Sequence, residues 1–183
     1  MNDAATAPTQ MSAFLEGRKF GCVLADPFRD SVAENPRRTL EDICALPIAE
    51  HMDDRAHCYL WVPNSLLPEG MKVLQSWGFK YTSNIVWQTE HTSDFDTAAE
   101  DGEVFADVTQ ILLFGIRGKN VRTLAPARST VNFIQPDGAS GPGGAGKPDE
   151  QYRIIESCSW GPFLELFGTS TRDGWTGWTE QAG

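Results

Sequence analysis

The sequence predicts an α/β protein built on an open sheet, with ligands bound at the carboxyl ends of its strands. One observation is a set of short, nearly continuous apolar runs, such as FGCVLA at 20–25 and HCYLWV at 57–62. Such runs are typical of buried parallel strands. The other observation is that segments with helical periodicity separate these runs. Strands that alternate with helices and are apolar on both faces indicate a sheet covered on both sides.

Each predicted element has a local signal. Thr39 and Asp42, three residues apart, resemble a capping pair at the start of a helix that Pro47 stops. The other predicted helices cover 68–76, before Gly78, and 149–158, after Pro148. The predicted strands are 20–25, 57–62, 81–87, 108–116, 130–134 and 163–167.

Two segments are predicted to be long loops. The stretch after Trp87 is acidic and shows no clear periodicity. Residues 135–147 hold five glycines and two prolines in thirteen positions, a composition that indicates a mobile loop on the substrate side.

Length and composition limit the class of protein. With 183 residues, the chain has the size of one domain with its own core. We expect a flexible segment over 1–19 and the domain over 20–183. No apolar run approaches the roughly 20 residues of a membrane span, and the start of the chain lacks a secretory signal. Four widely spaced cysteines form no zinc pattern, so we expect free thiols, a cytoplasmic location and no metal.

The charge is negative overall and unevenly distributed. Lys and Arg number 15 against 25 Asp and Glu, a net charge of −10, which argues against tight nucleic-acid binding by electrostatics alone. Residues 87–107 hold seven acids and no Lys or Arg, whereas 117–128 hold four bases and no acid. Each run is either a solvated loop face or a functional surface, the basic run then contacting phosphate.

The residues after the first strand carry the most specific chemistry. Asp26 directly follows a buried strand, and Pro27 and Phe28 follow it, at the edge where an open α/β sheet binds ligands. The pattern is either a plain Asp-Pro turn or a catalytic loop. In the catalytic interpretation, a carboxylate and a backbone carbonyl accept the protons of an adenine amino group and localise its lone pair. The aromatic ring then stacks on the base once it leaves the helix.

Four further segments, in this order, resemble one known family. They are LPIAEHMDDRAHCYLWVPNSLLPEGMKVLQSWGFKYTSNIVW, ILLFGIRGKNVRTLAPARSTVNFI, KPDEQYRIIESCSWGPFLELFG and GWTGWTEQ. The chain resembles, from about 20 to 181, the adenine-N6 methyltransferases whose eukaryotic members include the mRNA adenosine methyltransferase and whose bacterial and phage members act on DNA. The resemblance implies a Rossmann-like S-adenosylmethionine-dependent methyltransferase fold with permuted motif order. Its sheet would be open and mostly parallel, with helices on both faces, and would transfer a methyl group to the adenine amino group.

The resemblance also implies roles for individual residues. Asp26, Pro27 and Phe28 match the start of the family's Asp-Pro-Pro-aromatic catalytic loop. The donor-binding residues implied by the family's segments are Asp26, Lys147, Glu165, Phe167, Gly168, Glu180 and Gln181. The residues expected to contact nucleic acid are Arg29, Arg117, Lys119, Arg122 and Arg128.

The expected substrate is nucleic acid, with DNA favoured over RNA because the compact chain carries no additional RNA-binding domain. The net negative charge makes us expect help in binding from a second copy or a partner subunit.

Several working positions depart from the family pattern. The loop after Asp26 has one proline instead of two, glycines and Ala145 precede Lys147, and Gln110 stands where a glutamate is usual. Glu180 replaces an asparagine, so this side chain accepts hydrogen bonds but does not donate them. Two functions therefore stay open: an active adenine-N6 methyltransferase, or a weakened or inactive methyltransferase-like subunit that binds nucleic acid or an active partner.

Overall fold

A computed structural model describes residues 7–29, 38–89, 108–119, 121, 123, 131–135, 146–168 and 172–179. The helices are α1 (Ala7–Phe14), α2 (Leu40–Cys44), α3 (Leu67–Ser76) and α4 (Glu150–Cys158). The strands are β1 (Phe20–Ala25), β2 (Met52–Val62), β3 (Lys80–Gln88), β4 (Thr109–Arg117), β5 (Phe133–Ile134), β6 (Phe163–Leu166) and β7 (Trp175–Trp178). Short 3₁₀ turns at Ile48–His51 and Asn64–Leu66 precede β2 and α3.

The seven strands form one sheet in the order β5-β3-β4-β2-β1-β6-β7. Strand β4 is antiparallel to β2 and β3, and the other neighbouring pairs are parallel. The predicted mostly parallel sheet is thereby confirmed. Because β1, β2 and β6 run in the same direction, their carboxyl ends meet at one edge of the sheet, where parallel sheets bind ligands.

Side chains alternate between the two faces of the sheet, and each face has its own apolar cluster. The three-helix face packs α1, α2 and α3 against residues such as Val23 and Leu60. The α4 face packs α4 against residues such as Leu24 and Trp61. Helices therefore cover both faces, as expected. The alternation of side chains along β1 continues past the end of the strand. Asp26, two residues after Leu24, therefore lies on the α4 side of the sheet, just beyond β1.

Most predicted elements lie within one or two residues of their expected bounds, and the exceptions have tertiary causes. The capping box of Thr39 and Asp42 is present at the start of α2. Strand β2 begins at Met52, five residues before its apolar run. Strand β7 was not predicted, because its four residues become a strand only by pairing with β6. The four cysteines are free thiols, as expected.

The sequence predicts a flexible segment over 1–19, of which residues 1–6 lie outside the described part of the chain. Residues 7–14 form α1, and the side chains of Met11 and Leu15 are fully buried in the three-helix core. Burial of these two side chains stabilises the docked helix.

The longest of the described helices, α3, has ten residues, half the length that crosses a bilayer.

A buried polar network lies on the α4 face away from the sheet edge. His57 Nδ1 is 2.7 Å from Ser159 Oγ, and the Tyr59 hydroxyl is 3.0 Å from the same oxygen. The His57 ring packs between Phe114 and Trp160. Its Nε2 is buried and has no hydrogen-bond partner in the described part of the chain. Burial therefore lowers the pKa of His57 to about 4.

Replacing Met11 with alanine tests whether α1 belongs to the core. We expect Met11→Ala to lower the free energy of unfolding by about 2–5 kcal/mol, because it removes a buried side chain and leaves a cavity. Phe14→Ala on the same helix is the control, since Phe14 is half exposed. Equal, small losses in urea denaturation of both variants would show that α1 is not docked.

His57 should make stability depend on pH. The folded state keeps His57 neutral down to about pH 4, whereas the unfolded chain binds this proton below about pH 6.5. The unfolded state then holds more protons, so the free energy of unfolding falls as the pH drops from about 6.5 towards 4. We expect His57→Gln to show a shallower fall over this window in urea titrations. Identical slopes for the two proteins would contradict a neutral buried imidazole.

Candidate functional site

A cavity of about 200 Å³ opens at the carboxyl ends of β1, β2 and β6, on the α4 side of the sheet. Its lining combines charged side chains with an aromatic wall. The lining residues are Leu24, Asp26, Arg29, Trp61, Gly146, Lys147, Asp149, Gln151, Tyr152, Glu165, Leu166 and Gly168. The position agrees with the predicted ligand edge of the sheet.

Asp26 lies at the tip of β1 and is 7% exposed. Its backbone N–H donates to the carbonyl of Leu166 at 3.2 Å, which ties the tip of β1 to the end of β6. Arg29 Nε donates to Asp26 Oδ2 at 3.2 Å, and Lys147 Nζ lies 3.5 Å from the same oxygen. Two cations therefore compensate the buried charge through Oδ2, and no described residue hydrogen-bonds to Oδ1.

Lys147 is held in an aromatic and polar box. Its ammonium donates to Gln110 Oε1 and lies 4.9 Å and 5.9 Å from the ring centres of Trp61 and Trp87. Burial lowers the pKa of Lys147, and the neighbouring Asp26 charge opposes this effect. The box fixes a flexible side chain so that its charge faces the cavity.

Glu165 supplies a second buried carboxylate, 6% exposed, from β6. Tyr152 on α4 donates its hydroxyl to Glu165 Oε1 at 2.7 Å. Glu165 Oε2 is buried and has no hydrogen-bond partner among the described residues. Burial raises the pKa of Glu165, and the hydrogen bond from Tyr152 acts in the opposite direction.

The turn after β6 brings Gly168 against this carboxylate. Phe167 has a φ of 64°, a left-handed conformation that is uncommon for a residue with a side chain. This turn interrupts the alternation of β6, so Leu166 and Phe167 both enter the three-helix core. A Cβ at Gly168 would clash with Glu165 Oε1, so glycine allows this approach without displacing the carboxylate.

The structure brings together five of the predicted site residues, namely Asp26, Arg29, Lys147, Glu165 and Gly168. It corrects the expectation for Phe28, which is 3% exposed and packs in the three-helix core, where it does not reach a base at the cavity. The turn over 27–29 directs Phe28 to one side of the sheet and Arg29 to the other. Pro27, in the same turn, is buried beside Asp26. The side chain of Phe167 is likewise in the core and does not line the cavity.

The predicted basic surface does not assemble beside the cavity. Arg117 pairs with Ala56 in the sheet, six residues before the carboxyl end of β2 at Val62, and thus roughly 20 Å from the ligand edge. Its guanidinium donates to the carbonyl of Ala49. Lys119 comes two residues after Arg117 and lies at the same end of the sheet. Because β4 is antiparallel to β2, this end is opposite the ligand edge. The predicted residues Arg122, Arg128, Glu180 and Gln181, and most of the two predicted loops, lie outside the described residues.

Sequence reasoning missed several residues of the site, four of which contact its charged side chains or each other. Trp61 shares the α4 face with Asp26, and this could have been read from its spacing along β2. Gln151 and Tyr152 lie in the first turns of α4, and the Trp61 indole donates to Gln151 Oε1 at 2.7 Å. Gln110 was noted only as a departure from a family pattern, although it binds Lys147. No local signal shows that these side chains meet.

Comparisons with known proteins agree with this architecture. A family model described as MT-A70 matches residues 20–181. The N(6)-adenosine-methyltransferase MT-A70-like protein of Drosophila melanogaster is 29% identical over 154 residues, which are 82% of this chain and 24% of the relative. The human N(6)-adenosine-methyltransferase catalytic subunit METTL3 is 29% identical over 163 residues, 82% of this chain and 26% of the relative. The METTL3 subunit of Danio rerio is 28% identical over 165 residues, 82% and 25% of the two chains.

This chain spans about a quarter of the length of these relatives. The matched region nevertheless includes all seven described strands and the cavity at their edge. Because the family model covers most of the sequence, the chain belongs to the MT-A70 family of adenine-N6 methyltransferases, whose methyl donor is S-adenosylmethionine.

Proposed function

We propose that this chain transfers a methyl group from S-adenosylmethionine to the N6 amino group of adenine in nucleic acid, at the cavity of β1, β2 and β6. The observation that carries the proposal is the Asp26 carboxylate, buried at a strand tip with both cations on one oxygen. A hydrogen-bond acceptor held in this way is suited to orient an amino group.

The residues of the cavity fit the donor. The Lys147 ammonium provides a charge for its carboxylate. The unpaired Oε2 of Glu165 provides an acceptor for its hydroxyl or ammonium groups. Gly168 lines the same wall and allows the Glu165 carboxylate to lie directly against the backbone.

In this reaction the donor provides the methyl group and the protein provides the hydrogen-bond acceptors that orient the adenine amino group. When bound, the donor supplies an electrophilic methyl group on its sulfonium. Asp26 Oδ1 accepts a hydrogen bond from the adenine amino group and so localises the nitrogen lone pair that attacks this methyl. The carbonyl of Pro27 accepts the second amino hydrogen. After transfer the nitrogen carries a positive charge, and it returns to neutrality by losing one proton to water.

The polymer substrate needs contacts beyond those described at the cavity. Arg29 and Lys147 are already engaged with Asp26, and the chain carries a net charge of −10. A second copy or a basic partner subunit would supply further contacts to phosphate. The relatives are named adenosine methyltransferases, so RNA is assayed beside the DNA that the sequence analysis favours.

A second candidate function is a donor-binding subunit with weakened or absent catalysis. Two observations favour it: Phe28 lies in the core, and Arg29 is bonded to the carboxylate that would hold the amino group. In this function the chain keeps the sheet and the donor site and supports an active partner.

The direct test is mass spectrometry of nucleosides from DNA and RNA oligonucleotides incubated with the protein and isotope-labelled donor. We expect labelled N6-methyladenosine or its deoxy form. Asp26→Asn should reduce its formation by about a hundredfold or more, because the variant loses the anionic acceptor and leaves two cations unbalanced.

Asp54→Asn is the matched control, since Asp54 is exposed in β2 towards the opposite edge. Donor binding without methylation by the parent protein would favour the second candidate. Equal methylation by Asp26→Asn and the parent would refute the role of Asp26.

Lys147→Met tests the donor site by calorimetry. We expect S-adenosylmethionine to bind about ten- to a hundredfold more weakly, because a charge-assisted contact is lost while the aromatic box stays filled. In the parent protein, affinity should also decline as the pH rises through the lowered pKa of Lys147, which loses its charge there.

Lys72→Met, on the exposed side of α3, is the control and should bind the donor like the parent. Unchanged affinity and an unchanged pH profile in Lys147→Met would exclude the ammonium from donor binding.

A further inference from the structure

The two oxygens of Glu165 have different environments. Oε1 accepts the hydrogen bond of Tyr152 at 2.7 Å and lies against Gly168. Oε2 is buried, and no described residue donates to it. If the carboxylate rotated freely, its two oxygens would exchange positions. The hydrogen bond from Tyr152 restrains this rotation and keeps the unpaired oxygen in one place.

Tyr152 is itself well fixed. It is 6% exposed and its ring packs edge-on against Trp175 of β7 at 5.3 Å between ring centres. The guanidinium of Arg172 lies 4.7 Å from the centre of the same ring and donates to Glu156. The hydroxyl therefore reaches Glu165 from a ring held by α4 and β7, and it does not depend on the ligand for its position.

We propose that Tyr152 is a positioning residue: it holds one oxygen of Glu165 so that the other accepts a hydrogen bond from a hydroxyl or ammonium group of the methyl donor. This inference rests on the proposed function of the cavity. An unsatisfied buried oxygen is costly, and a ligand that donates to it recovers this cost on binding. The hydrogen bond from Tyr152 also favours the charged form of Glu165, against the effect of burial.

The surrounding charges set the pH at which Glu165 takes up a proton. Burial raises the pKa of Glu165, with a smaller contribution from the Asp26 charge, whereas the Tyr152 hydrogen bond, Arg29 and Arg172 act in the opposite direction. Lys147 and Asp149 line the same cavity. Apart from the Tyr152 hydroxyl, these groups are the same in the parent and in a Tyr152→Phe variant, so a difference between their pH profiles reports on the missing hydroxyl.

The test measures donor affinity by calorimetry between pH 5 and 8 for the parent, Tyr152→Phe, Glu165→Gln and the double variant. We expect Tyr152→Phe to bind S-adenosylmethionine about three- to tenfold more weakly. The pH at which affinity declines on acidification should move upwards, because the pKa of Glu165 rises without its hydrogen bond. The Glu165→Gln variant should lose this decline, and adding Tyr152→Phe to it should leave the pH profile unchanged.

Methylthioadenosine, which keeps the ribose hydroxyls but lacks the amino-acid part, separates the two donor groups. If Tyr152→Phe also weakens its binding, Oε2 accepts from a hydroxyl; if only S-adenosylmethionine is affected, it accepts from the ammonium. Tyr59→Phe is the matched control, because it removes a buried hydroxyl from the Ser159 network away from the cavity.

The outcomes distinguish this proposal from the function on which it rests. A parent that binds donor, with Tyr152→Phe unchanged in affinity and pH profile, would overturn the positioning role and leave the function intact. A parent that binds no donor would overturn both. Equal losses of donor affinity in Tyr59→Phe and Tyr152→Phe would show that the loss comes from general destabilisation, and would overturn the positioning role. If Tyr152→Phe does not fold, a pH profile in Glu165→Gln identical to the parent would reject the proposal.

Discussion

Asp26 loses most of its contact with water at the tip of β1, and two cations compensate its charge by converging on one oxygen. Removal of one partner from a buried ion pair typically costs about 3–5 kcal/mol, so the arrangement constrains its neighbours strongly. Lys147 must be desolvated to reach Asp26, and two tryptophans and Gln110 hold it there. The cavity is thus a polar site built inside an apolar face of the sheet.

The carboxylates of this site come from strands whose ends need different turns. After β1, the turn over 27–29 sends one side chain into the three-helix core and the next to the cavity. After β6, the left-handed conformation of Phe167 directs its side chain into the three-helix core. The same turn brings Gly168 against Glu165 on the cavity side. In both places an aromatic side chain anchors the turn in the core. The local backbone is therefore stabilised by packing on one face while it presents polar groups on the other.

The strands and helices were largely predictable, because apolar runs and capping signals are local. Helix α1 and strand β7 were not, since each becomes stable only against the rest of the chain. Met11 and Leu15 carry no clear helical pattern along the chain, and they are buried only because the three-helix core surrounds them. Trp175 and Trp178 acquire strand geometry by pairing with β6. Such elements gain their stability from tertiary contacts, which propensity does not report.

By itself, the sequence determined that a carboxylate follows a buried strand at a ligand edge, and that the order of segments matches a methyltransferase family. These features depend on residue type and spacing along the chain. Tertiary structure alone decided that Phe28 points into the core, that Arg117 lies at the far edge, and that Tyr152 meets Glu165. The direction of a turn, the antiparallel course of one strand and the contact between a helix and a strand depend on how distant segments pack. A pattern read along the chain carries no information about those distances.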